Sequence, residues 1–326
     1  MSYPNTRLRR LRYNPIIRNM VEDIHLRVDD LIFPLFVCDG KNIKNEIKSM
    51  PGQYQYSVDQ LNEICEKIIS LKIKSIILFG IPKEKDEDGT VSHNSNGVVQ
   101  NAIKFIKKNY PSILVIADLC NCQYTTHGHC GSIVDGDVDN DKTVDNLSKQ
   151  AISLVEAGAD VLAPSDMMDG RVLHIRKKLD KNGFQKIPIF SYSIKYASAF
   201  YGPFRDAANN TPSKGDRKTY QMNFKNSSEA IREVELDIEE GADAVIIKPA
   251  LSYLDIINRI KNKFSIPIIA YNVSGEYSMV SAASEKNWIE KQNIIFEILI
   301  SMKRAGATAI ITYHALEIAE KINKNV

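Results

Sequence analysis

No apolar stretch in this 326-residue chain approaches the roughly 18 residues a membrane-spanning helix needs, so the sequence predicts no transmembrane segment. The N-terminus also lacks the apolar core of a secretory signal. Cysteine is scarce: the five, at positions 38, 65, 120, 122 and 130, are too few and too clustered for a disulfide scaffold. Their distribution predicts a reduced, cytoplasmic setting. Charge of one sign is lacking too, since 42 Lys and Arg stand against 40 Asp and Glu. A net charge of +2 argues against bulk electrostatic binding of nucleic acid. The local exception is Arg7-Leu-Arg9-Arg10-Leu-Arg12, a basic cluster that suits a nucleic-acid patch, a targeting sequence or an arm lying on a partner subunit. No glycine-rich dinucleotide fingerprint follows an early strand, which counts against a Rossmann-type nucleotide fold.

What is present is a repeated alternation. Eight short apolar runs occupy residues 31–37, 75–80, 113–119, 160–165, 187–194, 243–248, 266–273 and 308–313. None alternates cleanly with polar residues, the pattern of parallel strands buried on both faces. Segments with helical spacing lie between them, at 57–71, 98–109, 143–157, 227–240, 253–263 and 286–304. Three helix-to-strand joints use nearly the same words: Glu156-Ala-Gly158-Ala-Asp160, Glu240-Gly241-Ala-Asp243 and Arg304-Ala-Gly306-Ala-Thr308. Glycine suits the left-handed position that closes a helix before the next strand. Eight strands alternating with helices predict an α/β fold, a (β/α)8 TIM barrel over residues 26–326 preceded by an extended N-terminal arm over 1–25. A doubly wound open sheet is the structural alternative.

Barrel active sites are built on the loops at the C-terminal ends of the strands. Reading those ends gives Asp118, Ser165, Lys195, Lys248, Ser274 and Tyr313, a row of polar groups on one rim. The two lysines carry the most information. Each closes an apolar run, where dry core meets cleft. Partial desolvation and a second nearby ammonium both disfavour the charged form, and a neutral amine is the nucleophile that Schiff-base chemistry on a ketone or aldehyde requires. A lysine that merely solvates a strand end is the plainer alternative for either one alone.

Two loops add chemistry. After the third strand comes Asp118-Leu-Cys120-Asn-Cys122-Gln-Tyr-Thr-Thr-His127-Gly-His129-Cys130. Three thiolates on one loop can close around a single Zn²⁺ and leave the fourth tetrahedral position open, the pattern of a catalytic ion. A fourth ligand from His127 or His129 would make the site structural, and buried or redox-active free thiols are the non-metal readings. After the fifth strand, residues 201–221 are rich in glycine, proline and small polar residues and read as a long loop rather than a helix. Arg205 and Arg217 on such a lid would offer forked donors to a substrate carboxylate, or pair at the surface with Asp206 and Asp216. The charged stretch 83–97 reads as a mobile loop after the second strand.

Taken together, these phrases resemble the delta-aminolevulinic acid dehydratase family, also called porphobilinogen synthases. The resemblance is carried by Arg9-Arg10-Leu-Arg12, Asp30-Leu-Ile-Phe-Pro-Leu-Phe-Val37, Thr126-His-Gly-His-Cys-Gly131, Ala163-Pro-Ser-Asp-Met-Met-Asp-Gly-Arg171, Ser191-Tyr-Ser-Ile-Lys-Tyr-Ala197, Phe200-Tyr-Gly-Pro-Phe-Arg-Asp206, Lys248-Pro-Ala-Leu-Ser-Tyr-Leu-Asp255 and Val273-Ser-Gly-Glu-Tyr277. These run in family order from about residue 6 to the C-terminus, and are expected to leave no room for a separate domain or transit peptide. The resemblance implies a hydro-lyase that condenses two 5-aminolevulinate molecules into porphobilinogen with loss of two waters, an early step of tetrapyrrole and haem synthesis. It implies that Lys248 holds the first substrate as a Schiff base, with Ser274 and Tyr313 on its carboxylate. Lys195 would form the second imine, with Arg205, Arg217 and Gln221 on that substrate's carboxylate. Cys120, Cys122 and Cys130 match the zinc-dependent branch, Asp118 the acidic residue beside the metal, and Glu233 the ligand of an activating Mg²⁺ distant from the active site. A homo-octamer assembled through the N-terminal arm is implied as well. Against this stand a class I aldolase-type Schiff-base lyase, with one lysine and no zinc, and a zinc-binding regulatory protein with the cysteine loop as a structural clip.

Overall fold

The computed structural model describes residues 3–213 and 215–324. The apolar runs form strands β1 (Leu31–Cys38), β2 (Ser75–Ile81), β3 (Leu114–Leu119), β4 (Val161–Pro164), β5 (Phe190–Lys195), β6 (Ala244–Lys248), β7 (Ile268–Asn272) and β8 (Ala309–Thr312). They pair in parallel in the order β4-β3-β2-β1-β8-β7-β6-β5. The seam between β4 and β5 is closed by a single parallel bridge, Leu162 to Ile189, where the Leu162 N–H donates to Pro188 O at 3.1 Å. The expected (β/α)8 barrel is the observed one. Helices α1 (Leu61–Ser70), α2 (Val98–Asn109), α3 (Asn140–Glu156), α4 (Arg171–Lys181), α5 (Glu229–Glu240), α6 (Leu254–Lys263), α7 (Lys291–Ala305) and α8 (Ala315–Lys324) follow the strands in turn.

The missing alternation has a direct cause. Along β1, Leu31, Phe33, Leu35 and Val37 pack outward against the helices, while Ile32 and Phe36 fill the barrel interior. Both faces are dry, so both carry apolar side chains. The three repeated joints also behave as expected: Gly158, Gly241 and Gly306 take φ values of 106°, 107° and 123°. There only glycine escapes a Cβ penalty, and each turns the chain from a helix into the next strand.

Parity along the strands aims the site. In β6 the side chains of Ala244 and Ile246 point inward, Val245 and Ile247 outward, and Lys248 comes next on the inward face. In β3 the same count carries Asp118 inward after Ile116. Strand β5 departs from the rule. Tyr192 lies in the interior layer but Ile194, two residues on, lies in the outer layer. The register with β6 shifts at this place: Val245 pairs with Ser191, but Ile247 pairs with Ile194. One extra residue in β5 forms a bulge, and a bulge re-aims every side chain after it. Its consequence is that Lys195 faces inward and pairs directly with Lys248.

Several elements differ from expectation. Residues 202–208 form a helical turn, Gly202–Ala208, rather than loop, because Pro203 sits in the first turn, where its missing N–H costs nothing. Asn209, left-handed at φ 50°, ends it. The charged stretch after β2 carries a 3-10 turn, Thr90–His93, and is bonded to its neighbours. Asp86 N–H donates to Tyr124 O, Thr126 N–H to Asp86 O, and Asn146 Nδ2 to Asp88 O. Helices α4 and α8 complete the expected alternation, and an extra helix, Ser274–Glu285, follows β7. In the N-terminal segment, neither the turn Leu8–Leu11 nor the helix Pro15–Met20 buries a residue, and Leu8, Leu11, Tyr13, Ile16 and Met20 stay exposed. Among the described residues, no helix is long and apolar enough to cross a membrane.

The outward layer supports the lysine strand, which makes it testable. Ile247→Ala empties a fully buried position beside Lys248 and is expected to cost about 2–5 kcal/mol. Urea unfolding should show a lower midpoint with an unchanged slope.

Candidate active site

Four of the six rim residues read from the strand ends, Asp118, Ser165, Lys195 and Lys248, meet in one small cavity. Cys122 and Arg205 line it too, and its volume is about 20 Å³, room for one water. Arg217 and Gln123 complete its polar wall. Both lysines are nearly fully buried. The ammonium of Lys195 donates to the carbonyl of Ser165. Lys248 Nζ sits among aromatic rings, 4.2 Å from the centroid of Tyr271, 4.9 Å from Phe204, 5.2 Å from Tyr201 and 5.4 Å from Tyr192. Lys195 Nζ lies 5.7 Å from the same Tyr192 ring, so one tyrosine floors both amines.

Burial, then the neighbouring Lys195 charge, pull Lys248 down to about 7, with Asp118 opposing. Ring faces favour the cation by about 0.5–2 kcal/mol, less than the several kcal/mol that removing a charge from water costs, so the neutral amine becomes accessible near neutrality. Asp118 is pushed the other way: burial raises its carboxyl, while Lys195, Lys248 and the neighbouring Ser165 hydroxyl draw it back. One of its oxygens has no hydrogen-bond partner, and the other accepts a long bond of 3.5 Å from Gln123 Nε2. A carboxyl so placed can hold or release a proton beside two amines.

The cysteine loop delivers three buried sulfurs. Cys120, Cys122 and Cys130 bring their Sγ atoms within 4.8 Å of one another, with Cys120 and Cys122 at 3.3 Å, and all three are free thiols. Zn–S bonds of about 2.3 Å give a tetrahedron edge of about 3.8 Å, so the trio is close to the size of a zinc site. Cys130 is driven toward thiolate by hydrogen bonds from Cys120 and Cys122 and by the Arg217 charge, whereas burial pushes Cys120 up. The donor set therefore fits a thiophilic cation with one ligand position left over. Neither histidine joins it: His127 Nε2 lies 2.8 Å from Glu87 O, and His129 Nδ1 lies 3.1 Å from the Tyr220 hydroxyl.

Buried donors without acceptors mark the other wall. Arg217 Nη2 donates to Gly128 O and Asn210 O, both at 2.7 Å, but its Nε has no partner. The Nε of Arg205 is likewise unpartnered, and burial followed by the Arg217 charge lowers its affinity for its proton. Gln221 is buried with no partner on either amide atom, though it does not line the cavity. Ser274 and Tyr313 are both buried, Tyr313 in the interior layer and Ser274 at the start of the helix Ser274–Glu285, and neither lines the cavity. Ser274 Oγ accepts from Phe204 N–H at 3.0 Å and donates to Phe200 O at 3.3 Å, which pins the short lid helix. The Tyr313 hydroxyl lies 3.1 Å from that of Tyr271, and its ring stacks on Phe36 at 6.1 Å.

Glu233 stands apart from this group. It is half-buried on α5 rather than exposed, and burial, opposed by Arg171, pushes its carboxyl up to about 7. The aromatic enclosure formed by Tyr192, Tyr201, Phe204 and Tyr271 was not anticipated. Inward parity at Tyr192 and Tyr271 was the available signal, but apolar runs that do not alternate conceal parity.

A family model described as delta-aminolevulinic acid dehydratase matches residues 5–321. The delta-aminolevulinic acid dehydratase of Halalkalibacterium halodurans is 54% identical over 318 residues, covering 98% of this chain and 97% of that one. That of Bacillus subtilis is 52% identical over 320 residues, covering 98% and 99%. A crystal structure of the Toxoplasma gondii delta-aminolevulinic acid dehydratase (porphobilinogen synthase), in complex with its reaction product porphobilinogen, superposes with a TM-score of 0.96 at 43% identity, covering 98% and 92%.

The pair of amines predicts a pH response. Lys248 is lowered to about 7, so its neutral form grows as pH rises through that value. Borohydride trapping of a 4-oxo acid on Lys248 should accelerate through about pH 7 and then level off. Lys195→Met should shift that midpoint upward, and a profile unmoved by the substitution would contradict the electrostatic coupling.

Proposed function

The chain belongs to the delta-aminolevulinic acid dehydratase family, and we propose that it condenses two molecules of 5-aminolevulinate into porphobilinogen with loss of two waters. The observation that carries the reading is the in-register pair Lys195 and Lys248, opening into one cavity beside unpartnered arginine donors. Two ketones need two amines, and two carboxylates need two sets of binders.

In this proposal the neutral amine of Lys248 attacks the ketone of the first substrate and expels its oxygen as water, leaving an imine. Lys195 does the same with the second. Ser274 and Tyr313 bind the first carboxylate. Arg205, Arg217 and Gln221 take the second, where forked donors match a planar anion. Asp118 moves protons between the substrate carbons and nitrogens, with Ser165 fixing both that carboxyl and Lys195. The aromatic walls exclude water from the imines, whose hydrolysis would undo the step. Holding both reactants makes the condensation effectively intramolecular. Cys120, Cys122 and Cys130 would hold a catalytic Zn²⁺, which when bound supplies positive charge and an open coordination position for a substrate oxygen or nitrogen.

A cavity of about 20 Å³ admits neither substrate, so the segment carrying Arg205 and Arg217 must swing aside for entry. Glu233 would offer its carboxylate to an activating, allosteric Mg²⁺, supported by a half-buried carboxyl pushed up to about 7, which a cation would return to its charged form. The exposed apolar residues of the N-terminal segment suit burial against further copies, as in an octamer built through that arm. The setting proposed is the cytoplasm and the pathway tetrapyrrole synthesis. A class I aldolase-type lyase would leave the second lysine and the three sulfurs without a task.

Incubation with 5-aminolevulinate should yield a pyrrole, a chelator should abolish it and zinc should restore it. Lys248→Ala should retain the fold and make no product, and a near-native rate would overturn the assignment. Arg217→Ala removes a charge-assisted carboxylate contact and should raise KM roughly 10- to 100-fold.

A further inference from the structure

We propose that Asn210 is a positioning residue that couples the cysteine cluster to the arginine-bearing lid. One buried residue holds three parts of the site together. Its side-chain Nδ2 donates to Cys122 Sγ at 3.2 Å, its carbonyl accepts from Arg217 Nη2 at 2.7 Å, and its own N–H donates to Arg205 O at 3.3 Å. Asn209, left-handed at φ 50°, ends the lid helix and turns the chain so that Asn210 meets the cysteine loop. The meeting is close. Gly128 sits at φ 74°, and a Cβ there would lie 2.8 Å from Thr211 O and 3.0 Å from Asn210 O, so the cysteine loop has room for no side chain at this point. Lys85 Nζ donates to Asn209 O at 2.7 Å and secures the turn from the other side.

The side-chain bond carries the coupling. A sulfur accepts such a bond whether or not it carries a proton, and Cys122 Sγ also lies 3.3 Å from Gln123 Oε1, to which it donates. The amide oxygen of Asn210, Oδ1, is buried and has no partner. The Asn210 amide thus stands as an outer partner of one of the three clustered sulfurs that would hold a metal. Because the same residue's main chain holds Arg217, whatever keeps the Asn210 amide on the sulfur also keeps the arginine at the cavity wall. The inference rests on the metal-site reading above and adds to it an outer partner that links the ion's loop to the carboxylate binders.

The test measures zinc affinity of the intact protein, without substrate, by competition with a coloured chelator, and the thiolate-to-cobalt charge-transfer band after Co²⁺ loading. Asn210→Asp keeps the shape and both main-chain bonds but replaces the donor with an acceptor, and Asn210→Ala removes the donor alone. Loss of an outer-shell partner is expected to weaken zinc binding about 10- to 100-fold, with a shifted cobalt band. With zinc saturating, KM for 5-aminolevulinate should rise in Asn210→Ala more than kcat falls, as Arg217 loses its fixed place. Zinc affinity within about twofold of the unsubstituted protein in Asn210→Ala overturns the inference, whether or not Asn210→Asp folds. If the unsubstituted protein itself gives no cobalt–thiolate band, the metal reading fails, a result distinct from the first.

Discussion

Two amines that repel one another are held in a place too dry to screen the repulsion. The remainder of the site depends on this. Burial makes either charge costly, and neighbouring strands about 4.8 Å apart leave the pair little distance. At about 5 Å and an effective dielectric near 20, two unit charges repel by about 3 kcal/mol. That energy, added to desolvation, moves a lysine from a solvated cation toward a nucleophile. The aromatic rings around Lys248 limit the cost of whichever amine stays charged while keeping water away from it. Asp118 is pressed upward by the same dryness and downward by the two lysines, which is why it is the proposed store for the displaced proton.

Bringing the amines together falls to a single irregularity. A regular β5 would send Lys195 to the same side as Ser193 and Ser191, toward the helices. The bulge between Tyr192 and Ile194 reverses that and sets Lys195 opposite Lys248. A strand carries its side chains with a period of two, so one inserted residue inverts all that follow. The network behind β5 braces this arrangement: Ser191 Oγ donates to Asp237 at 2.7 Å, and Arg171 donates to Ser191 Oγ and to Tyr192 O. The distortion is supported from outside the barrel, and the two amines it sets opposite one another lie within it.

The lid is tied to the sulfur loop by hydrogen bonds and close backbone approach rather than by apolar packing alone. Arg217 reaches Gly128, Asn210 reaches Cys122, and the Ser213 N–H donates to His127 O at 3.0 Å. Polar ties of this kind are made and broken at lower cost than a packed apolar face. That suits the opening proposed for the segment that carries Arg205 and Arg217.

Much of the molecule could be read from its residues in order. The count of strands, the barrel, the glycines at the helix ends, the polar strand ends and the three clustered cysteines all follow from local pattern, because burial on both faces and left-handed backbone leave marks on neighbouring residues. Membership in the delta-aminolevulinic acid dehydratase family was equally legible in short phrases such as Ser191-Tyr-Ser-Ile-Lys-Tyr-Ala197. Other features had no local mark. The helical turn at Gly202–Ala208 is hidden by its glycine and proline. The exclusion of His127 and His129 from the sulfurs depends on Glu87 and Tyr220, which lie far away in sequence. The aromatic enclosure arises where β5 and β7 meet the lid, and the contacts of Asn210 where the lid meets the cysteine loop. Residue order determined which groups stand at the rim, since apolar patterning is local. Only tertiary structure decided which of them face one another, since parity after a bulge and contact between loops exist only once the barrel has closed.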